Sequence, residues 1–98
     1  MRRRNALILT ERARRDLDQA RTWLTQPGSG SRGRSRYASL LEALQGLRTA
    51  PGRWPFGENA NVRERVCEGY RLFYEWNEAE HSVTILRIYG PFQDRADL

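Results

Sequence analysis

The spacing of apolar residues changes once along this chain, near residue 50, and that change constrains the fold more than any other feature. Before it, Ala13, Leu17, Ala20 and Leu24 recur at steps of four, three and four. Tyr37, Leu40, Leu41, Leu44 and Leu47 keep a similar rhythm. Each set is one face of a helix with 3.6 residues per turn. After it, Tyr70–Trp76 and Ser82–Tyr89 are dense in branched and aromatic residues, the composition of strands. Arg63–Cys67 reads as a further strand, joined to the next by Glu68-Gly69, a tight-turn signal. Ala6–Leu9 is short and apolar, as a buried strand would be, and Thr10 offers a hydroxyl to cap the helix behind it. Residues 26–36, rich in Gly, Ser and Arg, read as a flexible basic turn, and residues 51–61 as an irregular loop pinned by Trp54 and Phe56. The expected order is β–α–α–β–β–β. This is an α+β fold of one domain over residues 1–98, in which an αα-hairpin packs on one face of a three-stranded antiparallel meander. The N-terminal strand should pair with one of the later strands, because it is too short to hold alone.

Charge narrows the partners. The chain carries 17 basic residues, all of them Arg, against 12 acidic ones, a net charge of +5. Guanidinium binds carboxylate and phosphate bidentately and does not give up its proton near neutrality. The expected partners are an acidic protein segment, a nucleic acid, or both. Cys67 is the only cysteine and His81 the only histidine. That excludes an internal disulfide and a Cys/His metal cluster, and no cofactor is expected. No stretch approaches the roughly 20 apolar residues of a membrane span. Residues 1–9 are too briefly apolar for a secretory signal, so the expected location is cytoplasmic.

The run Gly69-Tyr-Arg-Leu-Phe-Tyr74, inside Arg63–Trp76, resembles the middle strands of the RelE/ParE toxin family. Val83–Ile88 is similar to the family's last strand, and Tyr89–Asp94 to the short tail of its ParE branch. Thr10–Leu17 also fits the family's start. The resemblance implies the toxin of a type II toxin–antitoxin pair, with a plasmid-stabilising or growth-arresting role. Its partner would be a cognate antitoxin with an acidic C-terminal segment, forming a hetero-oligomer. Within the family, RelE-type members cut messenger RNA on the ribosome and ParE-type members inhibit DNA gyrase by binding. Arg71 sits where RelE-type toxins carry a catalytic Arg, but the tail Arg and the terminal Tyr of that branch are missing here. The resemblance therefore favours the gyrase inhibitor, which is not an enzyme. A metal-independent endoribonuclease using Arg71, Tyr89 and His81 is the alternative, and a non-toxic relative that only binds antitoxin is a third reading.

Site residues follow from strand alternation and from the family. Arg87 stands between Leu86 and Ile88 and should point away from the core. With Arg63, Arg65 and Arg71 it could form a basic stripe for the antitoxin's carboxylates. The blander reading of Arg71 is a cross-strand pair with Glu64 or Glu75. Tyr70, Leu72, Tyr74 and Trp76 share one face of their strand, which should be the core face. Tyr89 and the tail residues Phe92, Gln93, Asp94 and Arg95 are the expected target contacts. The charges of the first helix, Asp16 among them, read as a solvated face.

Overall fold

The computed structural model describes residues 4–91. The order of elements is β1 (Ala6–Leu9), α1 (Glu11–Leu24), α2 (Gly30–Gly46), a short 3-10 turn (Pro51–Arg53), β2 (Arg63–Cys67), β3 (Tyr70–Asn77) and β4 (Ser82–Tyr89). The strands form one sheet in the order β1-β4-β3-β2. β2, β3 and β4 are the antiparallel meander, and β1 pairs parallel to β4, Leu7 opposite Val83 and Leu9 opposite Ile85. Both helices lie on one face. Leu24, Leu40, Leu44 and Leu47 meet Leu72, Tyr74, Val83, Ile85 and Ile88 in the core, with Leu7, Leu9 and Trp76 packed against it.

Local chemistry explains the element ends. The Thr10 hydroxyl accepts from the Ala13 amide at 3.0 Å and donates to the Leu86 carbonyl at 3.1 Å. One side chain thus caps α1 and fastens it to β4. Glu68 and Gly69 both have positive φ, 54° and 80°, as a two-residue hairpin turn requires. The register of β3 against β4 slips between Phe73 and Tyr74, so Leu86 is an extra residue on β4. Such a bulge re-aims the side chains beside it.

Two expectations from the sequence are corrected. The basic turn of residues 26–36 is largely helix, since α2 begins at Gly30. Composition misleads here because the decisive contact is tertiary. A Cβ on Gly33 would stand 2.0 Å from the Leu24 carbonyl oxygen, so this glycine lets the two helices touch backbone to backbone. The loop after α2 also carries more order than its prolines suggest. Residues 51–53 form a 3-10 turn, and Phe56 bridges to Arg63 along the outer edge of β2. Trp54 packs against the core, whereas Phe56 remains 58% exposed under the Arg63 guanidinium. Among the described residues no helix is long and apolar enough to cross a membrane.

Candidate functional site on the open face of the sheet

The helices leave the other face of the sheet open. Strand pairing decides which residues reach it. Arg71 lies opposite Tyr89 and Val66, and Phe73 opposite Arg87 and Glu64. These six side chains share the face away from the helices, with Arg71 and Tyr89 at its centre; Tyr89, expected as a target contact, is buried at 2% exposure, and Phe73 beside it is buried too. The resemblance put activity at Arg71 and Tyr89, and the fold brings that pair together. The third member of the proposed ribonuclease set is not with them. His81 sits exposed in the β3–β4 turn, and β4 is eight residues long. At about 3.3 Å per residue, His81 is more than about 20 Å from Tyr89.

Each polar group at the centre already has a protein partner. Arg71 donates to the Glu64 carboxylate at 2.9 Å, the cross-strand pairing that the blander reading described. Arg87 donates through Nε to Asp16 Oδ2 at 2.8 Å and through a second nitrogen to Oδ1 at 3.2 Å, a bidentate fork. The same Asp16 carboxylate accepts the Ile88 amide at 2.9 Å. Arg87 also donates to the Tyr89 hydroxyl at 2.7 Å and lies over its ring. Phe73 meets Tyr89 edge-on, centroids 5.6 Å apart. The hydrogen bond that Arg87 donates to Asp16 pushes the Arg87 pKa above its ordinary value. This guanidinium is a permanent cation and no proton acceptor.

Asp16 is the residue that sequence reasoning missed. It was expected on a solvated helix face, yet it is 7% exposed. A signal existed: Asp16 follows Ala13 and precedes Ala20 at helical steps of three and four, on the edge of the apolar stripe. The expected arginine stripe is also corrected. Arg63 and Arg65 lie opposite Tyr74 and Leu72, and so belong to the helix-side face. Arg63 donates to the carbonyls of Trp54 and Gly52, and Arg65 to that of Ala43 while lying over the Trp54 ring. Alternation along β2 puts them through the sheet from Arg71, and the bulge turns Arg87 toward α1. Tyr70 and Tyr74 are buried on the core face as expected. Burial raises the pKa of both, that of Tyr74 to about 12, and the Tyr74 hydroxyl donates to the Pro51 carbonyl. Phe92, Gln93, Asp94 and Arg95 lie outside the described residues. Among those described, no group of His, Cys, Asp and Glu is arranged to hold a metal ion.

Comparison with known proteins agrees with this geometry. Solved toxin structures share the fold. The toxin–antitoxin complex RelBE2 from Mycobacterium tuberculosis matches with a TM-score of 0.68 at 22% identity, covering 92% of this chain and 94% of that one. The chromosomal ParDE system from P. aeruginosa also gives 0.68, at 18% identity and 86% and 92% coverage. The intact E. coli RelBE complex gives 0.66, at 17% identity and 93% and 99% coverage. No curated protein sequence matches significantly. The model of one family, described as the ParE toxin of the type II toxin–antitoxin system parDE, matches residues 7–90. The match runs from β1 to the end of β4, through both helices and the paired arginines of the open face, and the chain therefore belongs to the ParE toxin family of type II toxin–antitoxin systems.

Proposed function

We propose that this toxin acts as a binding inhibitor of DNA gyrase and is neutralised by a cognate antitoxin. The observation that carries the reading is the state of the open face. Cleaving RNA without a metal needs a base for the 2′-hydroxyl and an acid for the leaving oxygen. Arg71 is held by Glu64, Arg87 by Asp16, and the Tyr89 hydroxyl by Arg87. His81 is at the far end of the sheet. A face whose cations are neutralised from within suits docking better than proton transfer. The family match supports the same branch.

The RelE-type reading keeps one supporting observation, the register that sets Arg71 directly opposite Tyr89. Two assays separate the readings. The purified toxin should abolish supercoiling by gyrase and leave transcripts intact on translating ribosomes. Cut transcripts with normal supercoiling would transfer the function to the nuclease. Loss of neither would mark a relative that binds only antitoxin.

The proposed antitoxin contact is Arg71, the more exposed of the two arginines on the open face. An incoming carboxylate there can replace Glu64 at little electrostatic cost. Arg71→Glu should weaken antitoxin binding about tenfold or more, the effect of charge reversal at a paired site. Unchanged affinity in a titration would move the contact elsewhere.

A further inference from the structure

The arginines of the described chain divide by what they touch. Eight of them donate to a carboxylate, carbonyl or amide, or stack on a ring. Arg4, Arg12, Arg14, Arg21, Arg32 and Arg34 have no such partner among the described residues. Five of these six are on the helical hairpin, and three of those gather at its tip. The contact of Gly33 with the Leu24 carbonyl fixes the start of α2 against the end of α1. Arg32 and Arg34 flank that glycine. Arg21 stands one turn before Leu24, and its carbonyl accepts the Thr25 amide. All three are exposed.

Two further observations say what this tip can bind. From Gln19 to Leu41 the sequence contains no carboxylate, in a chain that is 30% charged. Glu68, from the β2–β3 turn, approaches the start of α2 and is taken by Arg36 at 3.7 Å. The tip also lacks apolar anchors. Between Thr25 and Arg36 the only carbon-rich side chain is that of Pro27, among Thr, Gln and three Ser. Protein interfaces draw their energy from buried aromatic and aliphatic anchors, and residues 25–36 supply none; the half-exposed Trp23, in the last turn of α1, lines a groove with Tyr70 and Pro91. Nucleic-acid binding draws it from guanidinium and hydroxyl contacts to phosphate, and these are what the tip offers.

We infer that the tip of the α1–α2 hairpin is a contact for the phosphate backbone of duplex DNA, made by Arg21, Arg32 and Arg34. The choice of duplex DNA rests on the gyrase reading, because gyrase presents its inhibitor with a DNA segment. Binding would be independent of sequence, since no tip side chain is tied to a base-reading geometry. It would add a second anchor to a toxin whose target contact lies elsewhere.

The test is anisotropy of a labelled 20-base-pair duplex titrated with the purified full chain at low and moderate salt. The triple variant Arg21→Glu, Arg32→Glu, Arg34→Glu is compared with Arg4→Glu, Arg12→Glu, Arg53→Glu, which changes net charge equally at other exposed sites. The tip variant should lose about tenfold or more in affinity. Its dependence on salt should fall by about two to three in the log–log slope, at roughly 0.9 per phosphate contact. The second variant should keep most of both. Equal losses in the two variants would reduce the effect to net charge and overturn the inference. So would no measurable binding by the wild type, or tighter binding to single-stranded RNA of equal length. Supercoiling measured in parallel keeps the two claims apart. Tip-dependent DNA binding without gyrase inhibition sinks the gyrase reading alone, and gyrase inhibition without tip-dependent binding sinks the tip alone.

Discussion

The sheet and the helical hairpin use the same residue in opposite ways. Arg63, Arg65, Arg71 and Arg87, on β2 to β4, each bind something in the protein. Arg12, Arg14, Arg21, Arg32 and Arg34, on the helices, bind nothing among the described residues. The difference follows from backbone hydrogen bonding. Inside a helix nearly every carbonyl is already occupied, so a helical guanidinium must find another side chain or, as Arg36 does with Glu68, a carbonyl outside the helix. Strand arginines lie beside loops and helix ends with spare carbonyls, such as those of Gly52, Trp54 and Ala43, and opposite carboxylates set by the register. On the sheet, arginine is a cross-link. On the hairpin Arg15 and Arg36 find Glu11 and Glu68, and the other five remain free charge among the described residues.

The largest effect should come from removing the buried carboxylate that crosses between the two regions. Asp16→Ala removes both carboxylate bonds from Arg87, whose side chain is only 13% exposed, leaving it the Tyr89 hydroxyl, and it leaves the Ile88 amide bare. Breaking a buried pair from one side costs about 3–5 kcal/mol. At roughly 4–8 °C per kcal/mol for a domain this size, the melting temperature should drop by more than about 12 °C. A drop of only a degree or two in calorimetry would mean that the pair is solvated and the contrast between regions false. Next comes Gly33→Ala. Its new methyl group meets backbone, which cannot swing away, so the helices must part. A cost of about 1–3 kcal/mol is expected, as for an overpacked core. A neutral result would show that the tip is looser than the contact implies.

Much of this was legible before the structure, and the residues that were not share a cause. The strands of the meander, the face that buries Tyr70 and Tyr74, the Thr10 cap and the Glu68-Gly69 turn all follow from short-range patterns. The parallel pairing of β1 with β4 does not, because it joins residues about 76 apart in sequence. Asp16 read as solvent-facing because its partner, Arg87, is 71 residues away. The helical start of α2 was hidden for a similar reason. Glycine and serine lower helix propensity locally, and the packing of Gly33 on Leu24 overrides them. The arginine stripe failed differently. Arg63 and Arg65 stand opposite Tyr74 and Leu72 on the face the helices cover, and a bulge in β4 that no pattern announces redirects Arg87.

Tyr74 tests the cross-link idea with a neutral group. It is fully buried, and its hydroxyl ties β3 to the Pro51 carbonyl at the start of the 3-10 turn. Tyr74→Phe should cost about 1–2 kcal/mol, the price of an unsatisfied buried carbonyl. It should also change the response to base. The folded pKa, about 12, lies above the ordinary value near 10, so folding favours the neutral phenol. Stability from this group is complete below about pH 10 and is lost as pH rises from 10 toward 12. Denaturant unfolding at pH 8, 10 and 11 should show that loss in the wild type and a smaller one in Tyr74→Phe. Parallel slopes would mean that Tyr74 ionises freely and the hydroxyl bond is weak.

The smallest effect should be at Glu64, and it defines where the contrast between the regions blurs. The Arg71–Glu64 pair has side chains 36% and 24% exposed, against 13% and 6% for Arg87–Asp16. Water and salt screen the first pair far more than the second, and pairs of that kind contribute about 0–1 kcal/mol. A double-mutant cycle of Glu64→Gln and Arg71→Gln should therefore give a coupling below about 1 kcal/mol that fades as salt is raised over a Debye length of about 8 Å. Glu64→Gln alone should barely move stability, yet it should leave the Arg71 guanidinium open to an outside carboxylate and tighten antitoxin binding. That combination, weak within the fold and strong across an interface, is what separates an arginine held in reserve from one built into the frame. A coupling as large as that of Arg87 with Asp16 would place Arg71 with the cross-links, and no partner could then take it from Glu64 cheaply.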